Sequence, residues 1–182
     1  DTLNGCKNTL KDLRARSEFS EYYYRAQTGG LGALEDFTKL ETIILAGARN
    51  SGILEGASKL KAVKALNIRS NDIPDISELS GLTTLESLYL GDNKISNITP
   101  LSNLTNLQIL ELSNNSINDI YPLRNLVQNG RTCITSLDLR NNLLENNNSS
   151  GQDNVEVLKL FKDAGAQIEY SGNNFSDISI LN

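Results

Sequence analysis

The sequence predicts an α/β repeat solenoid, a right-handed superhelix with a parallel concave β-sheet and an N-terminal helical cap. Its apolar pattern, L-x-x-L-x-L-x-x-N-x-I-x-x-I, recurs with a step of 22 residues, so that Leu88 and Asn93 return as Leu110 and Asn115. The preceding copy keeps the same step, with Leu66 at the position of Leu88. A period this regular is typical of repeat architectures. Parallel strands joined by crossovers are right-handed, which predicts the handedness.

Six repeats are predicted over residues 29–182, and residues 1–28 precede them as the cap. The first repeat keeps only part of the pattern, and the fifth is lengthened by residues around 128–132. The sixth is reached through residues 153–166, whose apolar spacing is helical. We expect this last repeat to close the C-terminal end of the solenoid.

Each repeat is predicted to contain one short strand. In the copy at residues 87–90, Leu88 and Leu90 point into the core, whereas Ser87 and Tyr89 point outward. The next apolar residues follow at three-residue spacing, which suits 3₁₀ or extended turns along the outer side. The recurring Asn leaves the strand, where its amide can bond backbone groups that no neighbouring strand reaches. A structural role is therefore predicted for Asn71, Asn93, Asn115, Asn142 and Asn173.

The cap is predicted as a helix that begins at Asn8 or Thr9 and ends near Ala26. Such a helix would cover the open first turn of the solenoid. The Gly pair after Thr28 predicts the turn from cap to repeats. The Asn-rich residues 145–154 are predicted to bulge from the rim as a loop.

The repeats resemble the leucine-rich repeat family, in particular the 22-residue class found in bacterial internalins. The resemblance covers about residues 31–182 and is carried by ITPL at residues 98–101, IYPL at residues 120–123 and the DI pairs at Asp75, Asp119 and Asp177. It implies a protein-recognition module that is secreted or displayed on a bacterial cell surface; a cytoplasmic location stays open. The family shares a scaffold and no single chemistry.

Composition argues against several functions. A net charge of −5 and a pI near 4.8 disfavour nucleic-acid binding, which needs clustered Lys and Arg. No apolar run approaches the roughly 20 residues of a membrane span. The chain has no His, which removes Ser-His and Cys-His nucleophile pairs and most catalytic zinc sites. We therefore predict no enzymatic activity, no cofactor and no metal site.

The two cysteines, Cys6 and Cys133, are predicted to be free thiols. Four strand spacings of about 4.8 Å would separate the first strand from the fifth, whereas a disulfide needs Cα atoms within about 7 Å. Cys133 has no evident base beside it and is predicted to be a small buried residue.

The concave face is the candidate functional surface. Outward residues of parallel strands form rows, and the middle row places Glu111, Asp138 and Glu169 side by side, where like charges are unfavourable. One interpretation is a solvated acidic strip that Arg140 partly neutralises. The other is a site for a basic protein partner, with Tyr89 as an apolar anchor. The predicted partner-binding residues are Arg69, Tyr89, Ile109, Glu111, Asp138, Arg140 and Glu169.

Two functions stay open at this point. The first is a monomeric protein-recognition module, and the second is a structural spacer of a larger protein whose concave face binds nothing. A retaining glycosidase with Glu111 and Asp138 as its carboxylate pair is a weaker alternative. A shallow sheet offers no deep pocket to exclude water or shift a pKa.

Overall fold

Seven short parallel strands form one sheet in the computed structural model, which describes residues 11–14, 28–148 and 150–181. The strands lie in chain order, each paired with the next. They are β1 (Asp12–Arg14), β2 (Thr42–Ile44), β3 (Ala65–Asn67), β4 (Ser87–Tyr89), β5 (Ile109–Glu111), β6 (Ser136–Asp138) and β7 (Gln167–Glu169). The strands of the six predicted repeats are β2 to β7.

The strands pair in register, which fixes the rows of side chains on the sheet. Tyr89 lies beside Glu111, Glu111 beside Asp138, and Asp138 beside Glu169. This is the predicted middle row. The lengthening of the fifth repeat therefore does not shift the register of β6.

Short 3₁₀ helices return the chain along the side opposite the sheet. They span Leu31–Leu34, Ala57–Lys59, Ser77–Gly81, Thr99–Leu101, Tyr121–Leu126 and Ser179–Leu181. Before β7 their place is taken by an α-helix, α1 (Asn154–Asp163), as the helical spacing predicts. The Asp153 carboxylate caps it by accepting hydrogen bonds from the N–H groups of Val155 and Glu156. Phe161 is fully buried and packs α1 onto the core.

The core is continuous along the stack. The central residue of each strand from β2 to β6 is almost completely buried, with Leu88 and Leu110 at 0% exposure. A second row, which includes Leu90 and Leu112, follows directly after the strands and is equally buried. Ile168 in β7 is only half-buried. The core therefore thins toward the last strand.

The recurring asparagines join successive turns, as predicted. The Asn93 side-chain amide donates to the carbonyls of Leu90 and Gly91 in its own turn and of Ile68 in the turn before. Its side-chain oxygen accepts from the N–H groups of Asn71 and Ile73, both at 3.0 Å. Equivalent bonds are made by Asn115, Asn142 and Asn173. We call these residues, with Asn71, the asparagine ladder.

The ladder is incomplete at its first member. The Asn71 side-chain amide donates to the carbonyls of Leu45 and Ile68, but its oxygen accepts no hydrogen bond within the described residues. The first repeat has Ala48 at the ladder position, so the asparagine bridges begin with Asn71.

The prediction of a helix across Asp12–Arg14 is wrong. These residues form β1, and the Lys11 carbonyl accepts from the N–H groups of Glu41 and Thr42. Leu13 is buried at 7% exposure, so strand pairing and burial outweigh any local helix preference. Thr28 and Gly29 are helical, and the turn into the repeats begins at Gly30. The rest of the predicted cap, residues 1–10 and 15–27, lies outside the described residues.

Two further expectations need correction. Cys133 is a free thiol but is exposed, because it lies in the lengthened segment before β6 and not in the strand. Part of the predicted rim loop is packed: Asn154 is fully buried, and its side chain bonds backbone groups of Asn118, Ile120 and Glu145. Cys6 lies outside the described residues.

Core and surface leucines give a direct test of the register. Leu110→Ala should reduce the free energy of unfolding by about 2–5 kcal/mol, because the void lies between stacked turns. Leu143→Ser should cost far less, since Leu143 is 50% exposed. Urea unfolding followed by circular dichroism measures both. Equal losses would contradict the fold of the fifth repeat.

The asparagine ladder is testable in the same way. Asn115→Ala should cost on the order of 3 kcal/mol, since it leaves several buried backbone groups unpaired. Asn173→Ala is the matched control at the last, half-buried position, where water can replace the lost bonds. If Asn173→Ala were as unstable as Asn115→Ala, burial would not determine how much free energy of unfolding each substitution removes.

Candidate functional site

The solvent-facing side of the sheet, termed the sheet face, brings all the predicted site residues together. Its middle row is Arg14, Ile44, Asn67, Tyr89, Glu111, Asp138 and Glu169. Ile109 lies in the row on the N-terminal side of the strands. Arg69 and Arg140 follow β3 and β6 in the row on the other side. Short strands in register hold these rows at about 4.8 Å spacing.

The part of the sheet face over β2 to β4 is largely uncharged. Ile44, Asn67, Tyr89 and Ile109 are each half-buried, so their side chains lie against neighbours and still reach solvent. Strands β2 to β4 contain no charged residue. This part of the face can form apolar contacts around an aromatic ring.

Contrary to the prediction, the Glu111 side chain does not project freely into solvent. It is only 8% exposed, because its carboxylate folds toward Gly91 and accepts a hydrogen bond from the Gly91 N–H at 3.2 Å. The Ser113 N–H and hydroxyl donate to the other carboxylate oxygen. A Cβ added at Gly91 would lie 2.2 Å from a Glu111 oxygen, so the glycine makes room for this carboxylate.

Arg69, which follows β3, neutralises Glu111 of β5 from two turns away. Its Nε lies 3.4 Å from a Glu111 oxygen, and its terminal nitrogen lies 3.0 Å from Asp92. The hydrogen bond to Asp92 raises the pKa of Arg69. Partial burial opposes this shift, whereas the negative charges of Glu111, Asp92 and Asp138 add to it. Arg69 is thus a fixed cation between two carboxylates.

Asp138 is paired with Arg140, as predicted. The Arg140 guanidinium donates to both Asp138 carboxylate oxygens, at 2.9 and 2.6 Å. The backbone N–H of Arg140 also donates to one of these oxygens, at 3.1 Å. Partial burial alone would raise the pKa of Asp138, but these hydrogen bonds and the nearby positive charges of Arg140 and Arg69 lower it below its ordinary value. Asp138 therefore stays ionised.

Glu169 completes the acidic end of the face. It is exposed and makes no ion pair with a described residue. Arg69 and Arg140 offset two of the four carboxylates Asp92, Glu111, Asp138 and Glu169, which leaves two negative charges. The uncharged part of the sheet face, over β2 to β4, thus passes into an acidic part.

A polar chain along the rim was not predicted. Asn141 donates to the Asn114 side-chain oxygen, and Asn114 donates to Asp92, both at 2.8 Å. All three residues have positive φ, between 53° and 57°, which Asn and Asp tolerate better than most residues. The chain leads to Arg69 through Asp92. The recurrence of Asp or Asn just before the ladder residues Asn93, Asn115 and Asn142 was its sequence signal.

Comparison with known proteins agrees with this architecture. The sequence profile "Leucine Rich repeats (2 copies)" matches residues 61–103 and 83–125. Internalin C2 of Listeria monocytogenes is 29% identical in sequence, with a TM-score of 0.71 over 96% of this chain and 67% of that chain. The chain therefore contains leucine-rich repeats, and its fold is similar to that of internalins.

Other solved structures share the fold at lower identity. An internalin F of Listeria monocytogenes is 22% identical, with a TM-score of 0.65 over 96% of this chain and 58% of that chain. A leucine-rich repeat protein of Leptospira interrogans is 16% identical, with a TM-score of 0.64 over 92% of this chain and 44% of that chain. This chain therefore spans only part of these relatives. A sequence search of well-characterised proteins finds no match.

The leucine-rich repeat fold is a common protein-interaction module and is typically non-enzymatic. In the described part of the chain, no three His, Cys, Asp or Glu residues are grouped to hold a metal ion. None of its helices is long and apolar enough to cross a membrane. Glu111 and Asp138 are each engaged by an arginine, an arrangement that suits surface charge better than a carboxylate pair acting on substrate.

The sign of the Asp138 pKa shift gives a pH-dependent prediction. Because its pKa is lowered in the folded state, Asp138 stabilises the protein above its unfolded pKa of about 3.9, and this stability is lost as pH falls through the folded value. Asp138→Asn should therefore be less stable than the natural protein at neutral pH. The difference should shrink in acid.

Thermal unfolding across a pH series measures this difference. Asp177→Asn is the control, since backbone and side-chain hydrogen bonds from Ser179 lower the pKa of Asp177 without an arginine partner. Added salt should weaken the Asp138 effect more than the Asp177 effect. A difference between Asp138→Asn and the natural protein that persists below both pKa values would contradict the assignment.

Proposed function

We propose that this internalin-like protein is a recognition module that binds a protein partner on the sheet face, the predicted concave face. The observation that carries the proposal is that one rigid surface has an uncharged part around Tyr89, over β2 to β4, beside an acidic part ending at Glu169. Surface rows held by backbone pairing need little ordering when a partner docks. Low ordering costs favour affinity.

The dimensions suit a protein partner. Seven strands span six spacings of about 4.8 Å, or about 29 Å along the stack. A face of this length can contribute the roughly 800 Å² per partner of a standard interface. A protein interface of this kind needs no deep cavity, whereas a small-molecule site does.

The charges indicate the partner's chemistry. The two uncompensated negative charges favour a partner with a basic surface, and Glu169 is the carboxylate most available to it. Tyr89 and Ile109 would provide the apolar anchor, since aromatic residues often dominate binding energy. Glu111, being buried, would hold Arg69 and Gly91 in place more than contact the partner.

The same resemblance supports the proposed location. Internalin-like neighbours are often bacterial surface or secreted proteins, and we propose that this chain is displayed or secreted in the same way. We further propose that it acts as a monomer, without enzymatic activity and without binding nucleic acid. Its acidic charge supports the last point.

The test compares matched variants against one candidate partner by surface plasmon resonance. Tyr89→Ala should increase the dissociation rate about thirtyfold, equivalent to about 2 kcal/mol, because a central anchor acts after contact. Glu169→Lys should instead slow association and weaken its salt dependence. Both side chains reach solvent, so the variants should stay folded.

Leu143→Ser is the control, because Leu143 is exposed but lies away from the sheet face. A partner that responds to Leu143 and ignores Tyr89, Ile109 and Glu169 would place recognition on the rim. Failure of every basic surface protein tested to bind, with circular dichroism showing intact fold, would favour the spacer function.

A further inference from the structure

We infer that Asn129 is a site of spontaneous covalent modification, at which the folded protein converts an asparagine to aspartate and isoaspartate. The inference rests on the segment that lengthens the fifth repeat. Residues 128–131 form a two-residue hairpin turn, with Asn129 and Gly130 at its tip. It is independent of the sheet face.

The tip is open on all sides. Asn129 and Gly130 are both exposed, and a Cβ added at Gly130 would meet no atom within 4 Å. The Asn129 side chain makes no hydrogen bond to a described residue. The turn is closed by the reciprocal backbone bonds of Gln128 and Arg131, at 2.8 and 3.0 Å. Opening this one pair would free the tip without disturbing the core.

The chemistry needs only water. The backbone nitrogen of Gly130 loses its proton to solvent and attacks Cγ of Asn129, forming a C–N bond. The bond from Cγ to Nδ2 breaks, and ammonia leaves with a proton from solvent. Water then adds to either carbonyl of the five-membered imide and breaks one C–N bond, which gives aspartate or isoaspartate.

Two features select this asparagine. Glycine has no side chain to hinder the attacking nitrogen, and it rotates freely through the conformations that the ring closure needs. Within the described residues, Asn129 is the only asparagine followed by glycine. Ladder residues such as Asn142 are buried, and their amides are committed to backbone carbonyls. Rim residues such as Asn114 are bonded side chain to side chain.

The product changes the local surface. Concavities of about 490 and 830 Å³ flank the hairpin, and Asn129 lines both. Arg124 lines one and Arg131 the other, and neither lining contains an acidic residue. Conversion would add a carboxylate to the lining of both concavities, each of which contains one arginine. An isoaspartate would also lengthen the backbone of a two-residue turn by one methylene.

Peptide mapping by mass spectrometry tests the inference. The folded chain is incubated in mildly alkaline buffer, and trypsin then releases the peptide from Asn125 to Arg131. We expect its Asn129 fragment to gain about one dalton, with a rate that rises with pH and comes within a few-fold of that in urea. Asn115, a buried ladder residue followed by Ser116, should convert only in urea. An isoaspartate methyl-transfer assay should label the same peptide.

Gly130→Ala should slow the conversion several-fold by hindering the nitrogen. Gly151→Ala is the matched control, because Gly151 is also exposed, has a φ of 76° and has nothing near an added Cβ. The inference would be overturned if the fold slowed Asn129, relative to its rate in urea, as strongly as it slows Asn115. So would equal slowing by the two glycine variants. The Asn4-Gly5 pair falls on a separate tryptic peptide and is scored independently.

Discussion

Most of this structure depends on one hydrogen-bonding arrangement, the bridge that a buried asparagine makes between two turns. Each strand is only three residues long, too short to hold its neighbour by backbone pairing alone. The side chains of Asn93 and Asn115 donate to carbonyls of their own turn and of the turn before, and each accepts from an N–H of the turn before, at the place where the backbone leaves the sheet. The core leucines stabilise the stack, and the asparagines fix its spacing and register.

The sheet face follows from that fixed register. Because rows of side chains must coincide, like charges fall side by side, and the protein compensates with two different pairings. Asp138 is held by an arginine of its own turn, whereas Glu111 is held by an arginine two turns away and by a glycine that makes room for it. The Asp138–Arg140 pair keeps its charges at the surface, whereas the Glu111 carboxylate is buried. The face is therefore more neutral than its composition indicates.

Periodicity was sufficient to predict the repeats, the inward and outward residues, the ladder and the helix α1. Each depends on local spacing that recurs. The position of Glu111 was not predictable, since it depends on the rotamer of one side chain over one glycine. β1 was missed because three residues carry no period, and their strand form is imposed by pairing with β2. The exposure of Cys133 was missed because the lengthened segment has no template in the other repeats.

The reciprocity of the ladder has an evolutionary consequence. Every inner turn offers its neighbours the same bonds that it receives, so a duplicated copy of residues 93–114 would find matching groups above and below it. The chain could lengthen by one turn, about 4.8 Å of sheet, without a new core having to be invented. The irregular first turn and the α-helical last one break this equivalence. Growth and loss of turns are thereby confined to the middle of the molecule, where a change in length resizes the surface and leaves its ends intact.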